Sequence, residues 1–390
     1  MTDLAPTRLP VGRRSILRAG AVGAAGALLA ACGGAGVRGL AEVEAFRSTR
    51  DLRILNWSDY IDPGGPDSPG TVALAREAFE IDIRYEPLWE DNAGGWAEFI
   101  EPVFGSGRPP THDIITPTFW VARRMLERGW IRPLPLELIP NHANIDPAYL
   151  TLDWDRGAAH QMPWQAGITG IAYDPALTGR PLNSIEDLFD PELAGRVGFI
   201  GEMSEAVGMM MLANGHDPSR PTEETTTRAL DRIEFAVRAG QIGAFTFNEF
   251  TDQLADGTLA AAMAWSGDTV QLQLDRPDME FIIPEEGAIR WFDTMVISDG
   301  SPNVANAAKW MNYVYEPEVA ARITSFVQYI SPVLGVRDAL DDLGGESAAL
   351  AENPILFPDD ETAQRLFTWG GDEALDTELE ARFAEISNLQ

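Results

Sequence analysis

Tryptophans and carboxylates stand side by side where predicted strands end. Residues 56–60 read Asn-Trp-Ser-Asp-Tyr, residues 265–268 read Trp-Ser-Gly-Asp, and residues 291–293 read Trp-Phe-Asp. An ammonium group that enters a cleft loses its hydration shell, so it needs carboxylates close by. Aromatic faces replace part of that shell, at about 0.5–2 kcal/mol for each contact. A single tryptophan is usually a core residue, but tryptophan beside Asp and Gly in loops favours a binding site for amines.

Glu202 and Glu205 form a second acidic pair, three residues apart at the start of a predicted helix. This spacing places both side chains on one face of the helix. Acidic residues in a first helical turn also balance the helix macrodipole. Taken alone, the pair is therefore better interpreted as helix-start residues, and Asp59 as a cap of the element that follows it.

Other site chemistries find no support in the sequence. The four histidines, at positions 112, 142, 160 and 216, have no metal-ligand spacing, and Cys32 is the single cysteine. No phosphate-binding loop and no G-x-S-x-G nucleophile motif is present. We therefore expect no disulfide, no metal or other cofactor, and no catalytic residue.

The chain is strongly acidic. Its 390 residues include 60 Asp and Glu but only 29 Lys and Arg, so the formal net charge is −31. Such a surface argues against binding to nucleic acid or to anionic lipid headgroups, and it raises the local concentration of a cationic ligand. A general role in solubility remains the simpler explanation for most of the charge.

The N-terminus has the pattern of an export signal. Residues 12–18 read Gly-Arg-Arg-Ser-Ile-Leu-Arg, a stretch of small and apolar residues follows, and residues 29–32 read Leu-Ala-Ala-Cys. A charged segment, a short apolar segment and small residues before a cleavage point define a secretory signal. The Arg pair resembles a twin-arginine signal, and Leu-Ala-Ala-Cys resembles the lipobox at which bacteria attach lipid to cysteine. We predict a signal peptide over 1–31 and a lipid-anchored tether over 32–50, which places the protein in the periplasm or at the outer face of the cytoplasmic membrane.

The remaining length suits two domains, in which strands alternate with helices as in α/β folds with a largely parallel sheet. The predicted strands are residues 52–57, 81–85, 112–116, 196–200, 261–265, 281–284 and 292–298. The predicted helices are residues 71–79, 96–104, 121–128, 204–213, 223–239, 303–315 and 318–327.

Several short stretches of the sequence, taken together, resemble a known family. The matching stretches are residues 56–61, 113–118, 162–164, 170–173, 205–207, 265–268, 284–288, 291–293 and 356–358. Their order and spacing resemble the spermidine/putrescine-binding proteins of bacterial ABC transporters, over about residues 52–370. Each motif alone is weak, but the set is specific.

The resemblance implies a two-lobed α/β periplasmic-binding-protein fold (type II-like), in which two crossing strands act as a hinge. The crossings are expected near 167–174 and 292–298. One lobe would comprise 51–167 with 293–317, and the other 168–292 with 318–390. It also implies a polyamine ligand, an ABC permease as membrane partner, and a monomeric chain.

The resemblance further implies roles for individual residues. An aromatic box would be formed by Trp57, Trp120, Trp265, Trp291 and Tyr329. Asp293 and Glu205 would each hold an ammonium group, and Ser58 and Thr118 would supply hydroxyl or backbone contacts. Asp59 and Asp268 match acidic positions of the putrescine-preferring branch, whereas Glu202 stands where spermidine binders have Asp. Putrescine is therefore the first candidate ligand.

Three alternatives remain open from the sequence. The first is the same fold bound to another small solute, such as an amino acid, an opine or a sugar. The second is an extracytoplasmic hydrolase that uses two carboxylates. The third is a surface adhesion or signalling module that has lost transport.

The lipid anchor gives the first testable prediction. Cys32→Ser removes the only thiol that can carry lipid, so we expect the protein to leave the membrane fraction of lysed cells. Gly33→Ser, which keeps the cysteine, is the matched control and should remain in the membrane pellet. Undiminished membrane association of Cys32→Ser would contradict the anchor.

Overall fold

The computed structural model describes residues 50–65 and 68–389. The predicted signal peptide, Cys32 and the tether up to residue 49 lie outside the described residues. Among the residues described, no helix combines the length and the apolar character that a membrane crossing requires.

The described chain is a mixed α/β structure. Its strands are β1 (Asp51–Trp57), β2 (Gly64–Gly65), β3 (Ser68–Pro69), β4 (Asp82–Trp89), β5 (Ile114–Ile115), β6 (Gln161–Tyr173), β7 (Val197–Ile200), β8 (Ile242–Thr246), β9 (Ala261–Trp265), β10 (Glu280–Ile282), β11 (Ala288–Ile297) and β12 (Leu366–Phe367). Its α-helices are α1 (Thr71–Phe79), α2 (Asn92–Gly95), α3 (Phe119–Glu127), α4 (Pro175–Thr178), α5 (Met203–Ala213), α6 (Glu223–Arg238), α7 (Phe250–Ala255), α8 (Ser266–Asp275), α9 (Val304–Val314), α10 (Pro317–Val327), α11 (Val336–Leu343), α12 (Gly345–Ala351), α13 (Asp360–Ala363) and α14 (Glu373–Ser387). Short 3₁₀ turns occupy Leu136–Leu138, Pro140–Asn144, Pro147–Tyr149, Ile185–Phe189 and Pro191–Leu193.

Ten strands form one continuous sheet, with the order β4-β1-β5-β11-β6-β9-β7-β8 and with β10 and β12 attached to β6 and β11. At each end the strands run parallel, as in β1 with β4 and β7 with β8. At the centre, β6 and β11 run antiparallel and pair from Ile289 with Thr169 to Val296 with Gln161. These two long strands carry the chain between the lobes.

The crossing strands are buried on both faces. Every residue of β6 is buried, which explains its run of apolar and small residues without alternation. Gly167 is required in this strand because a Cβ there would lie 2.4 Å from Cζ2 of Trp291. The absence of a side chain at 167 thus lets the indole of Trp291 lie against the strand.

Each lobe packs helices on its part of the sheet. In the first lobe, α1, α3 and α9 pack against the strands β1, β4 and β11. In the second lobe, α5, α6 and α14 pack against one another and against β7, β8 and β11.

The C-terminal part of the chain contacts elements of both lobes. Residues 318–390 were predicted in the second lobe, and α10, at their start, packs against α1, α9 and α11. Further along, strand β12 pairs with β11 at Ala288, and α14 packs against α5 and α6. The amphipathic pattern of a helix such as α10 shows that one face is buried, but it does not identify the elements that the face packs against.

Most predicted elements are observed within a few residues of their predicted bounds, and α1 and β9 match at both ends. The segment Trp96–Gly105, predicted as a helix, is a π-helix with Pro102 inside it. Proline has no N–H for the α-helical bond, which accounts for the irregular winding. Helices α2, α4, α7, α8 and α11 to α14, and strands β2, β3, β8 and β12, were not predicted.

Candidate functional site

A cavity of about 710 Å³ lies between the two lobes. Eleven of the twelve residues that the sequence analysis proposed as ligand-binding line it: Trp57, Ser58, Asp59, Thr118, Glu202, Glu205, Trp265, Asp268, Trp291, Asp293 and Tyr329. Most come from strand ends and helix starts of both lobes, whereas Trp291 and Asp293 lie inside β11 and Tyr329 follows α10. The sequence thus predicted which segments meet in the cleft.

Asp293 lies at the crossing of the lobes and is 3% exposed. Its backbone bridges to Thr118, and the pairing of β11 with β6 shifts register immediately after it. One carboxylate oxygen accepts a hydrogen bond from Thr118 Oγ1 at 2.7 Å, and the other accepts from the hydroxyl of Tyr60 at 2.8 Å. Burial raises the pKa of Asp293 to about 7 despite both bonds. The carboxyl group is thus fixed in place but poorly solvated.

Glu202 is bound across the cleft by Asn92 of the first lobe. The backbone N–H of Asn92 donates to Glu202 Oε1, and its side-chain Nδ2 donates to Glu202 Oε2, both at 3.2 Å. The same amide nitrogen donates to Thr118 Oγ1 at 2.9 Å. A continuous chain of bonds therefore runs from Glu202 to Asp293. Burial raises the pKa of Glu202 to about 7.

Glu205 is held from the side of the second lobe. Its Oε2 accepts from the indole N–H of Trp265 at 2.7 Å and from the hydroxyl of Thr169. Thr169 Oγ1 in turn accepts from the indole N–H of Trp291 at 3.1 Å. Burial raises the pKa of Glu205 to about 8, and the nearby charge of Glu202 raises it further.

Asp268 marks another part of the cavity, in the first turn of α8. It accepts from the hydroxyl of Tyr329 at 3.1 Å and from Asn248 Nδ2 at 3.0 Å. Burial raises the pKa of Asp268 to about 7, with a further contribution from the charge of Asp59. Asp59 is exposed and adopts a left-handed backbone conformation, φ 55°, in the turn after β1. Asp tolerates this conformation better than most residues do.

Aromatic rings connect the acidic groups. The rings of Trp265 and Trp291 lie 6.2 Å apart, those of Trp291 and Tyr329 5.4 Å apart, and those of Tyr329 and Tyr60 5.8 Å apart. Trp57 continues the series, 6.4 Å from Tyr60. These faces and edges line a path between Glu205, Asp293 and Asp268 on which a cation would meet π-electron density.

Trp120, which was predicted to be part of the aromatic box, does not line the cavity. It lies two residues beyond Thr118 on the helix α3, where a turn of about 100° per residue directs it to the far side. There it is 5% exposed and packs against the guanidinium of Arg124 at 5.3 Å.

Several residues that line the cavity were missed by the sequence analysis, among them Tyr60, Trp89, Asn92, Phe247 and Asn248. Tyr60 closes the Asn-Trp-Ser-Asp-Tyr motif, so its position carried a signal. Asn92 and Asn248 lie in polar segments without periodicity, and nothing in their local sequence distinguishes them from ordinary surface residues.

Acidic residues outnumber basic residues in the lining of the cavity. Among the described residues that line it, Arg276 is the only Lys or Arg. Its guanidinium already binds Asp174 at 3.1 Å and Asp278 at 2.8 Å. Within residues 50–65 and 68–389, no group of three or more His, Cys, Asp or Glu is placed to hold a metal ion. The arrangement can therefore accept an organic cation, with carboxylates for its charges and rings for its carbon chain.

Comparison with known proteins identifies the family of this chain. A profile described as bacterial extracellular solute-binding protein matches residues 104–358. The putrescine-binding periplasmic protein PotF of Escherichia coli strain K12 is 27% identical over 338 residues, which are 82% of this chain and 86% of that protein. The spermidine/putrescine-binding periplasmic protein of the same strain is 24% identical over 316 residues, which are 80% of this chain and 84% of that protein.

A solved structure confirms the predicted fold. The spermidine/putrescine ABC transporter substrate-binding protein PotD from Streptococcus pneumoniae, solved with calcium and HEPES, superposes with a TM-score of 0.71. The match covers 87% of this chain and 99% of that chain at 22% identity. This chain thus has the periplasmic-binding-protein fold that the sequence predicted.

The raised pKa values predict how the stability of the ligand-free protein depends on pH. A carboxyl group whose pKa is higher in the folded state stabilises the fold below its unfolded pKa, and this contribution is lost as pH rises through the folded value. For Glu205 this interval extends from about pH 4.5 to about pH 8. Glu205→Gln keeps an oxygen for Thr169 and Trp265 but cannot ionise. The free energy of unfolding should match that of the unsubstituted protein at about pH 4, below both pKa values, and exceed it by about 1 kcal/mol or more at pH 8.5.

The measurement is urea denaturation of protein freed of ligand by unfolding and dialysis. Asp252→Asn, at an exposed position on the same cavity, is the control and should show no such pH-dependent gain. If Glu205→Gln is equally destabilised at both pH values, burial of an ionisable group at 205 is not what limits stability.

Proposed function

We propose that this chain, which belongs to the bacterial extracellular solute-binding protein family, captures a polyamine and delivers it to an ABC permease. The observation that carries the proposal is the set of carboxylates Glu202, Glu205 and Asp293, which are buried, together with the partly buried Asp268. A diamine or triamine supplies the positive charges that the described lining residues do not supply. Its methylene chain would pack against the rings between those carboxylates.

The relatives support the same ligand class, since the two from Escherichia coli are named for putrescine and for spermidine with putrescine. Putrescine is our first candidate because both Asp59 and Asp268 line the cavity. A ligand with an anionic group, such as an amino acid or an opine, would have to place that group among carboxylates or reach Arg276, which is already paired. A sugar would leave the carboxylates without a counter-charge.

The family is one of solute-binding proteins, so we infer binding and release rather than turnover. A hydrolase that uses two carboxylates needs one to donate a proton and the other to attack or to activate water. Here Glu205 and Asp293 each accept hydrogen bonds from neutral donors, and an ammonium group that enters the cleft would stabilise their ionised forms.

The site of action that we propose is the outer face of the cytoplasmic membrane. The twin-arginine signal over 1–31 and the lipid at Cys32 would export the protein and hold it near the permease. We further propose that the chain acts as a monomer, with both lobes available to the permease.

A thermal-shift screen of residues 51–390 tests the ligand class. A ligand at about 100 times its dissociation constant adds roughly 2.7 kcal/mol to stability. We expect the melting temperature to rise with putrescine or spermidine and to stay unchanged with amino acids and sugars. A rise with a sugar or an amino acid and none with any amine would discard the polyamine assignment while leaving the fold intact.

Asp293→Asn tests the site itself. The substitution leaves an ammonium group without its counter-charge in a closed cleft, so the dissociation constant for putrescine should rise by at least about tenfold in titration calorimetry. Asp153→Asn, on a carboxylate that is 92% exposed, is the matched control and should bind normally. An unchanged affinity of the Asp293 variant would show that the ligand lies elsewhere.

A further inference from the structure

The two lobes also contact each other outside the cavity. Three arginines at and just beyond α3 of the first lobe contact the C-terminal segment. Arg123 Nη1 donates to the carbonyl oxygen of Gly371 at 2.9 Å. Arg124 Nη2 lies 3.2 Å from Glu380 Oε1, and Arg128 Nη2 lies 2.5 Å from Glu373 Oε1. None of these residues lines the cavity.

The arginines are held in place by their own lobe. The guanidinium of Arg124 lies 4.9 Å from the ring centre of Trp96 and 5.3 Å from that of Trp120. That of Arg128 lies over Trp96 and Trp130, at 5.1 and 4.9 Å. Stacking on indoles fixes the planar guanidinium groups before any bond to the second lobe is made. The stacking of Arg124 on Trp120 also accounts for the position of Trp120 outside the cavity.

The segment that they contact is part of the second lobe. Gly370 donates its backbone N–H to Pro218 at 3.1 Å. Arg382 of α14 binds Asp231 of α6 at 2.5 Å, and the ring of Phe383 contacts Phe245 at 5.4 Å. A movement of the second lobe therefore carries Glu373 and Glu380 with it.

The residue that precedes the same first-lobe helix lines the cavity. Thr118, the residue before α3, donates to Asp293. Asn92 reaches Glu202 of the second lobe at the inner end of the cleft. The interlobe bonds thus continue from the cavity to the surface along α3. Because they join the lobes away from the crossing strands β6 and β11, an opening rotation lengthens them.

We propose that Arg123, Arg124 and Arg128 form a latch with the segment 371–380 that holds the lobes closed on the ligand and so slows its release. The arginines are positioning residues, because they touch no ligand and act through closure. This inference rests on the proposed function for its ligand. Arg124 carries most of the effect, since it is 6% exposed and exposed ion pairs contribute little.

Dissociation kinetics test the latch. In the full chain carrying Cys32→Ser, stopped-flow tryptophan fluorescence with putrescine and with spermidine measures both rate constants. Arg124→Gln should raise the dissociation rate constant by about fivefold or more and leave the association rate constant within about twofold. Glu380→Gln, which leaves the stacked guanidinium and its tryptophans intact, should have the same effect. The double variant should do no more than either alone, because both substitutions break one interaction.

The control is Arg382→Gln, which removes an arginine from the same C-terminal helix but from a bond within the second lobe. Its rate constants should equal those of the parent protein. A dissociation rate constant unchanged in both Arg124→Gln and Glu380→Gln, or raised as much in Arg382→Gln, would overturn the latch. Additive effects in the double variant would do the same.

A second readout needs no ligand. Leu88 and Leu274 are 51% and 70% exposed and lie next to lining residues of the first and second lobes. Spin labels are attached at Leu88→Cys and Leu274→Cys, and the distance between them reports the width of the cleft. Cys32 is the only native cysteine, so the chain that carries Cys32→Ser is labelled at these two positions alone. If neither amine binds, the proposed function fails, but the latch still predicts a longer label distance in Arg124→Gln and Glu380→Gln than in the parent. An unchanged distance in both would overturn the latch.

Discussion

The structure is organised around carboxylates that are buried together without a counter-charge. Glu202, Glu205 and Asp293 are each at most 6% exposed. The charge of Glu202 raises the pKa of both Glu205 and Asp293, and the charge of Asp293 raises the pKa of Glu205. Hydroxyl, amide and indole donors satisfy their hydrogen bonds, yet none of these donors is charged. Neutral donors offset the loss of hydration in part, but repulsion among like charges persists in a medium of low dielectric constant. A site of this kind is completed by protons or by an organic cation.

The fold places these groups so that no single lobe holds the whole site. Asp293 lies on a crossing strand and takes its donors, Thr118 and Tyr60, from the first lobe. Glu202 and Glu205 begin a helix of the second lobe. A ligand bound to both sets therefore joins the lobes, and its binding energy is available only when they approach. The register shift beside Asp293 changes the direction of its carboxylate. The absence of a side chain at Gly167 makes room for the indole of Trp291.

The sequence predicted the parts of the site that depend on local pattern. Strands end where Trp, Asp and Gly follow apolar runs, and in parallel sheets these ends meet at one edge, which accounts for the groups near Trp57 and Trp265. Trp291 and Asp293 reach the same cavity from inside the crossing strand β11. What the pattern missed depends on direction or on distant packing. Trp120 has the right neighbours in sequence but faces the opposite side of α3. Asn92 acquires its role only because Glu202 of the other lobe reaches it, and the position of α10 depends on its packing against helices α1, α9 and α11.

Closure of the two lobes is opposed by electrostatic repulsion inside the cleft and favoured by electrostatic attraction outside it. Inside the cleft, closing brings Glu202 towards Asp293 and removes both from water, so repulsion and desolvation oppose it when no cation is present. Outside the cleft, closing brings Arg124 to Glu380 and Arg128 to Glu373, and attraction favours it. The outer attraction is available with or without ligand, whereas the inner repulsion disappears when ammonium groups enter. A ligand that adds positive charge only inside the cleft can therefore shift a near-balanced equilibrium towards the closed form, because the shift requires only a difference in its affinity for the two forms.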